Sequence, residues 1–215
     1  FSKILIAKDG YELWLDYRTI ENPVMRSEAD RLFSGIFFFG KNPTYEAIQK
    51  ELQLAAPKLT GKAPVFSIER LNQTQVWLGT REELAQVFGL QDQVTIRNLG
   101  EDGYWMGPVV FQGKTYFTIV GNRPIGVLYG VFDWLKSLQN GSFDLNKVKM
   151  ESPKIQLRML NHWDNLDRTV ERGYAGFSIW DWHRLPGYID PRYIDYARAN
   201  ASIGINAVSL TNVNA

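Results

Sequence analysis

The sequence predicts an α/β protein with two parts that meet near residue 150. Three observations predict it. Short β patterns alternate with helices in the first part. A long helix with an apolar stripe then gives way to polar, charged sequence, and a strand, a helix and a second strand follow. We therefore expect one domain over residues 1–150 and the beginning of another over residues 151–215.

The first elements are a strand and a helix. Residues 11–17 alternate Tyr or Leu with other side chains, which predicts a half-buried strand. A helix is predicted to begin at Pro43 and to end at Pro57, because proline suits a first turn and interrupts a helix interior. The apolar face of this helix consists of Ile48, Leu52 and Ala55.

Further β material surrounds a short helix. Val65, Ser67 and residues 76–78 have strand composition. Thr80 and Glu83 stand at capping-box spacing, which predicts a helix start. Gly89 is expected to end that helix.

A hairpin and a long helix complete the first part. Residues 104–111 and 114–120 are β-rich and are joined through Gln112 and Gly113, which predicts a hairpin. A helix follows residues 121–124, and its apolar residues repeat at intervals of three and four. They are Leu128, Val131, Phe132, Leu135 and Leu138. Residues 147–153 are charged, contain proline and are expected to be a linker.

The second part reads as one strand-helix-strand unit. Residues 155–160 and 207–210 are predicted strands. Asp190 and Pro191 supply a helix cap and a first-turn proline, and the helix is expected to end near Gly204. Its apolar face is the set Ile194, Ala197 and Ala201. In parallel α/β folds the ligand sits beyond the carboxyl ends of the strands, which here are followed by residues 161–167 and 211–214.

Composition excludes several function classes. Hydrophobic residues make up 45% and charged residues 22%, which is typical of a folded protein. The net charge is +1 without long charge runs, and no stretch approaches the roughly 18 apolar residues of a membrane span, so neither nucleic acid nor membrane is an expected partner. With no Cys and only two His, a zinc enzyme is disfavoured, and we expect no metal or cofactor. The first residue is Phe1, which predicts a processed or trimmed start and leaves a secreted, periplasmic or cytoplasmic location open.

Aromatic residues cluster between His162 and His183. This segment contains both histidines and three of the seven tryptophans. Sugar sites combine aromatic plates with Asp, Asn, Arg and His groups, because sugars present apolar C–H faces and hydroxyl rims. Trp163, beside a strand end, is favoured as a sugar contact. For Trp180 and Trp182 the favoured interpretation is that they pin a long surface loop to the core and that their indole N–H groups find hydrogen-bond partners locally.

The polar residues of this region leave alternatives open. Three aspartates could supply a glycosidase carboxylate pair, although loop hydrogen bonds and salt bridges are the favoured interpretation. They are Asp164, Asp167 and Asp181. His162 and His183 are favoured as oriented loop residues over general bases. Asn212 and Asn214 could equally reach a ligand or close a turn.

Several segments then resemble a known family. Residues 160–168, 171–176, 178–182, 199–206 and 210–214 are similar to the opening of the catalytic barrel of xylan α-glucuronidases, glycoside hydrolase family 67. Residues 121–131 resemble the end of the α/β domain that precedes such barrels. The resemblance implies an N-terminal two-layer α/β sandwich domain followed by the beginning of a (β/α)8 barrel.

The resemblance also implies an activity. The enzyme would remove α-1,2-linked 4-O-methyl-glucuronic acid from xylo-oligosaccharides, with inversion and without a cofactor. By position, Trp163 and Val213 would line the uronic acid pocket, and His162, Asp164, Asn212 and Asn214 are further candidate contacts. No catalytic residue is expected within the chain, because the family's carboxylates lie on later strands, beyond Ala215. The chain would then be a fragment, and residues 155–215 are expected to pack poorly alone.

Other hypotheses stay open at this point. A second barrel glycosidase, such as a β-hexosaminidase relative, would carry the same kind of accessory domain. A non-catalytic carbohydrate-binding or domain-docking module would explain the lack of a convincing acid and base pair. A homodimer of the full-length enzyme is compatible with the resemblance.

Overall fold

The computed structural model describes residues 9–67, 74–88 and 99–210. These residues form an α/β structure with two sheets, as the sequence predicts. The helices are α1 Pro23–Phe33, α2 Pro43–Thr60, α3 Arg81–Phe88, α4 Pro124–Gln139 and α5 Pro191–Ala201. The strands are β1 Ile36–Phe38, β2 Val76–Thr80, β3 Tyr104–Phe111, β4 Lys114–Gly121, β5 Lys149–Glu151, β6 Met159–Asn161 and β7 Ala207–Ser209. None of the described helices has the length and apolar character that a membrane span needs.

The larger sheet has five strands in the order β1-β2-β4-β3-β5. β1, β2 and β4 are parallel, whereas β3 runs antiparallel to β4 and β5. The predicted hairpin is confirmed as β3 and β4. Gln112 (φ 50°) and Gly113 (φ 75°) form its turn. Positive φ at both positions matches the twist of the flanking strands, which explains why two residues suffice.

Helices α1, α2 and α4 pack with the larger sheet in one core. The predicted apolar stripes of α2 and α4 are confirmed, because their residues are buried there. α4 lies close to the sheet: a Cβ added to Gly126 would come within 2.2 Å of the Gly103 carbonyl oxygen. A second core contains Trp77, Tyr116 and Leu84 of α3. The sheet is therefore buried on both faces.

Two helix predictions need correction. Pro57 does not end α2, which continues to Thr60. Gly61 ends it instead, with φ 88° and its N–H donated to the Pro57 carbonyl. Helix α1 was not predicted, although its signal is present: the Asn22 side chain accepts hydrogen bonds from the amides of the first turn, and Pro23 occupies the first helical position.

The predicted strand over residues 11–17 is wrong. Leu13–Asp16 form a short 3-10 helix. The alternation does not correspond to one buried face, since Leu15 and Tyr17 are buried while Tyr11 and Leu13 are exposed. Positive φ at Leu13 and Tyr17 also breaks the extended conformation that a strand requires.

The capping box before α3 is confirmed. The Thr80 amide donates to the Glu83 carboxylate at 2.8 Å, and the Glu83 amide donates to the Thr80 hydroxyl at 3.3 Å. The helix end predicted at Gly89 lies outside the described residues. Residues 65–67 do not form a strand, and only Phe66 makes an isolated parallel bridge to Ile36.

The second part is a strand-helix-strand unit with short strands. The predicted linker is partly wrong, because β5 adds an edge strand beside β3. The predicted strand over residues 155–160 shrinks to β6 at 159–161, and it pairs in parallel with β7. Asp190 caps α5 as predicted, since its side chain accepts from the Arg192 amide at 3.0 Å. Of the predicted apolar face of α5, Ile194 and Ala197 are exposed.

Candidate functional site

The carboxyl ends of β6 and β7 meet at one edge of the smaller sheet. The two strands are parallel, with Asn161 opposite Ser209. The His162 amide donates to the Ser209 carbonyl at 2.9 Å, which fixes the residue that follows β6 at this edge. The segment after β6 therefore starts where ligands bind in parallel α/β folds.

The loop that begins there is held by its own hydrogen bonds. Isolated antiparallel bridges join Asp164 to Val170 and Thr169 to Phe177. The Asn165 side chain donates to the Thr169 hydroxyl at 2.9 Å and to the Glu171 carbonyl at 2.6 Å. Because these bonds are local, the loop has a defined shape of its own.

His162 lies between a tyrosine and a buried carboxylate. Its Nε2 is 2.5 Å from the Tyr196 hydroxyl, and its Nδ1 is 3.9 Å from Asp164 Oδ1. Asp164 is only 4% exposed and accepts a hydrogen bond from the Ser178 hydroxyl. The imidazole is thus oriented from both sides, which agrees with its favoured interpretation as an oriented loop residue.

Trp180 is a structural residue of the loop. It is 6% exposed and packs on the Tyr193 ring, with centroids 4.6 Å apart, and against Tyr196, with centroids 5.4 Å apart. The Ser178 hydroxyl accepts from the Trp180 amide at 2.9 Å. The packing of Trp180 agrees with the expectation that it pins the loop. The expected local partners of the indole N–H groups are wrong, because those of Trp180 and Trp182 are buried without a hydrogen-bond partner among the described residues.

Trp163 differs from its neighbours in exposure. Its side chain is 50% exposed, while those of His162 and Asp164 are mostly covered. Its backbone is nevertheless fixed, since the Trp163 carbonyl accepts from the Glu171 amide at 2.6 Å. An indole on a fixed backbone with a free face is suited to stack against an apolar ligand surface.

The loop carboxylates are engaged in structural contacts. Asp181 pairs with Arg168 at 3.2 Å, one of the salt bridges that the sequence favoured. Asp167 accepts from the hydroxyl and amide of Thr169, and these hydrogen bonds lower its pKa below the ordinary value. A general acid of a glycosidase needs the opposite shift, so Asp167 is unsuited to that role.

Two protein-family models match the chain. One is described as the glycosyl hydrolase family 67 N-terminus and matches residues 13–134; the other is the family's middle domain and matches residues 137–215. The chain belongs to glycosyl hydrolase family 67. The predicted resemblance is confirmed by both matches.

Curated relatives agree with this family 67 assignment. A probable alpha-glucuronidase A from Aspergillus oryzae is 33% identical over 216 residues, covering 97% of this chain and 24% of the relative. Alpha-glucuronidase A from Emericella nidulans is 33% identical over 228 residues, covering 98% of this chain and 25% of the relative. The chain thus spans about a quarter of the length of these relatives.

A solved structure supports the α/β fold of this family 67 chain. It is a family GH115 4-O-methyl-alpha-glucuronidase with specificity for decorated arabinogalactans. The TM-score is 0.58 at 13% sequence identity, and the match covers 83% of this chain and 25% of that one. At this identity the likeness concerns the fold alone.

The predicted site residues of the family 67 chain fall into two groups. His162, Trp163 and Asp164 follow β6 at the carboxyl edge, as expected. Val213, Asn212 and Asn214 lie outside the described residues, so their placement stays a prediction.

Sequence reasoning missed two tyrosines on α5. Tyr193 and Tyr196 are spaced by three residues and face the loop, where they contact Trp180 and His162. The spacing was a signal, since residues three apart share a helix face. The predicted face of Ile194 and Ala197 lies elsewhere on α5.

Within the described ranges, no metal centre marks the loop after β6, and four cavities lie elsewhere. No group of three or more His, Cys, Asp or Glu residues there could hold a metal ion. Four cavities lie away from the loop after β6, and the largest of these four, about 520 Å³, is lined by residues that include Trp14, Arg18 and Gln139. Trp163 lines none of the four.

Proposed function

We propose that this chain is part of an inverting α-glucuronidase that removes α-1,2-linked (4-O-methyl-)glucuronic acid from xylo-oligosaccharides in xylan degradation. The observation that carries the proposal is the half-exposed indole of Trp163 at the carboxyl edge of β6 and β7. Membership of family 67 and the names of the relatives support it. They also favour it over the β-hexosaminidase alternative.

The fold we propose is an N-terminal α/β domain over residues 1–150 and the beginning of a (β/α)8 barrel over residues 151–215. β5 is the last described strand of the five-stranded sheet, and β6 is the first of the smaller one, which supports a boundary near residue 150. The β6-α5-β7 unit with parallel strands is the repeating unit of such a barrel.

In this proposal the chain's residues bind and orient the uronic acid. Trp163 stacks against the apolar face of the sugar, and the His162 ring faces the hydroxyl groups at the rim of the sugar. Asp164 supports His162 from the buried side, since its carboxylate lies 3.9 Å from Nδ1. Val213, Asn212 and Asn214 would approach from the end of β7.

We place the acid and base carboxylates outside residues 1–215. The engagement of Asp167 with Thr169 and of Asp181 with Arg168 supports this placement. An inverting enzyme needs two carboxyl groups about 6.5–9.5 Å apart, with water between one of them and the sugar. A protonated carboxyl serves the leaving oxygen while the other activates that water.

The test is hydrolysis of aldouronic acids by the full-length protein that carries this sequence. We expect release of 4-O-methyl-glucuronic acid, with the β-anomer formed first in a proton NMR time course because inversion converts the α-linkage. Unsubstituted xylo-oligosaccharides and N-acetylated sugars are the control substrates and should release nothing. A folded protein that releases no uronic acid would reject the proposal.

A calorimetric titration separates the enzyme from a binding module. Acidic xylo-oligosaccharides are titrated into the 215-residue chain. The proposal predicts no saturable binding, because the site is shared with residues outside the chain. Saturable binding together with an inactive full-length protein would favour a non-catalytic module.

A further inference from the structure

Helix α5 contacts two different regions with two opposite faces. Tyr193 and Tyr196 contact the loop that follows β6. Asp195 and Arg198 contact residues 11–51 of the first part. Since successive residues of an α-helix turn by about 100°, these two pairs point in nearly opposite directions. The first part also contacts the residue before β6, since Arg158 pairs with Asp102 at 2.8 Å, but α5 is the element that joins it to the loop after β6.

The contact on the first side is an ion pair between the partly exposed Arg198 and the buried Glu51. Arg198 Nε and Nη2 donate to Glu51 Oε2 and Oε1 at 2.5 and 2.9 Å, and Glu51 is only 3% exposed. The Tyr17 hydroxyl donates to the same carboxylate at 2.5 Å. A bidentate arginine pair fixes orientation as well as distance, so it defines the rotation of α5 about its axis.

The ionisation of this cluster agrees with its geometry. Burial and then the Glu51 charge raise the pKa of Tyr17, which keeps the phenol neutral as a donor. Burial alone would lower the pKa of Arg198, but the hydrogen bonds and charge of Glu51 outweigh it and the pKa is raised. Tyr17 therefore stays neutral and Arg198 stays charged across the neutral range.

The contact on the second side ends at the sugar-facing segment. The Tyr196 hydroxyl holds His162, whose backbone precedes Trp163. The Tyr193 ring packs on Trp180, and its hydroxyl accepts from the Asp181 amide at 2.8 Å. A small rotation of α5 would move all these contacts together.

We propose that Arg198 and Tyr196 are positioning residues: Glu51 fixes α5 through Arg198, and α5 fixes His162 and the Trp163 backbone through Tyr196. The first part of the chain thereby sets the geometry of the uronic acid site. Neither residue needs to touch the sugar. This inference rests on the proposed function for the location of the sugar at Trp163.

The test compares variants of the full-length protein. Arg198→Lys keeps the charge but loses the two-pronged contact, and Tyr196→Phe keeps the ring but loses the hydroxyl. We expect each to raise KM for aldouronic acids by about 10- to 100-fold, because small displacements have effects of this order. The effect on kcat should be smaller, since the displaced groups hold the sugar and the acid and base lie elsewhere. The double variant should be no worse than the more affected single variant, because both act on one path.

Matched controls separate positioning from loss of stability. Arg192→Lys changes the same residue type on the same helix, where Arg192 pairs with Asp190 at 2.7 Å. Tyr45→Phe removes a tyrosine hydroxyl that donates to the Glu83 carboxylate at 2.5 Å, in the first part of the chain. Neither control should raise KM. Tyr45→Phe should lower the melting temperature because it loses a half-buried hydrogen bond, whereas Arg192→Lys loosens only an exposed ion pair and should lower it little.

Failure of this inference can be distinguished from failure of the proposed function. The inference is overturned if Arg198→Lys and Tyr196→Phe change KM no more than their controls, or if their effects multiply independently. If the wild-type protein releases no uronic acid, the proposed function fails and hydrogen exchange decides the inference instead. Faster exchange of residues 162–183 in Arg198→Lys than in Arg192→Lys then supports the coupling, and equal exchange overturns it.

Discussion

The hydroxyl of Ser178 donates a hydrogen bond to the buried carboxylate of Asp164. The two residues are 14 positions apart, so this contact closes the first half of the loop that follows β6. Asp164 also lies beside His162. A residue predicted to contact the sugar is therefore first a support for the loop, and its effect on a ligand would pass through His162.

Ser178→Ala tests this support. The variant removes one donor from a buried carboxylate and the acceptor of the Trp180 amide. We expect a loss of about 1–3 kcal/mol in the free energy of unfolding, because buried polar groups are costly to leave short of a partner. Urea titration measures it. Ser142→Ala, at an exposed serine, is the control. Equal stability of the two variants would contradict the structural role of the contact.

The capping box before α3 gives a second prediction. Thr80→Ala removes the hydroxyl that accepts from the Glu83 amide. We expect the free energy of unfolding to fall by about 1 kcal/mol, the usual effect of losing a cap. Glu82→Ala is the matched control, because Glu82 is exposed in the same helical turn. If Thr80→Ala were as stable as Glu82→Ala, the cap would contribute nothing.

The close packing of α4 gives a third prediction. Gly126→Ala would place its Cβ 2.2 Å from the Gly103 carbonyl oxygen, and a backbone atom cannot rotate away. We expect a loss of more than about 2 kcal/mol, since an overpacked core must shift its backbone. Gly187→Ala is the control, because its Cβ would find only an ordinary contact at 3.6 Å. Thermal unfolding of both variants provides the comparison. Similar melting temperatures would mean that α4 has room to move.

Local patterns explain which elements the sequence could predict. The hairpin turn at Gln112 and Gly113 and the capping box of Thr80 and Glu83 depend on neighbouring residues. The stripe of α4 repeats over several turns, so its burial follows from the period alone. Each of these signals lies within one element, and each was confirmed.

The failures depend on contacts between distant segments. The alternation of residues 11–17 favoured a strand, but no sheet edge pairs with this segment among the described residues, and it forms a 3-10 helix instead. β5 exists because β3 offers an edge, which the charged sequence of residues 147–153 does not reveal. Pro57 does not end α2, since a proline in the last turn removes a single hydrogen bond.

The same difference between local signals and distant contacts applies to the candidate site. The position of His162 and Trp163 after a strand was predictable, because strand ends are local features. The partners of His162 were not, since Tyr196 is 34 residues away. The pairing of Glu51 with Arg198 spans 147 residues, and no pattern in either segment indicates it.

A fourth prediction concerns alkaline pH. Burial and then Glu51 raise the pKa of Tyr17 above its ordinary value of 10.0. In the unfolded chain this phenol ionises near its ordinary pKa, whereas the folded protein keeps it neutral. The contribution of Tyr17 to the free energy of unfolding is therefore complete below about pH 10 and is lost as the pH rises further. We expect Tyr17→Phe to lose less stability than wild type between about pH 9 and 11.

Melting temperatures across this pH range measure the difference for the full-length protein. Tyr188→Phe, at an exposed tyrosine, is the matched control for removing a phenol hydroxyl. A Tyr17→Phe curve parallel to wild type would contradict the shifted pKa, whatever the absolute stabilities.

The last prediction concerns Trp163, whose half-exposed indole carries the proposed function. Trp163→Ala should lower kcat/KM for aldouronic acids by about tenfold or more, because losing an aromatic contact costs on the order of 1–2 kcal/mol. Trp163→Phe keeps a plate and should lose less. The melting temperature should change little, since an exposed side chain contributes little to the core. Tyr188→Ala, at another exposed aromatic residue between β6 and α5, should retain activity. If Trp163→Ala were as active as Tyr188→Ala, the sugar would bind elsewhere.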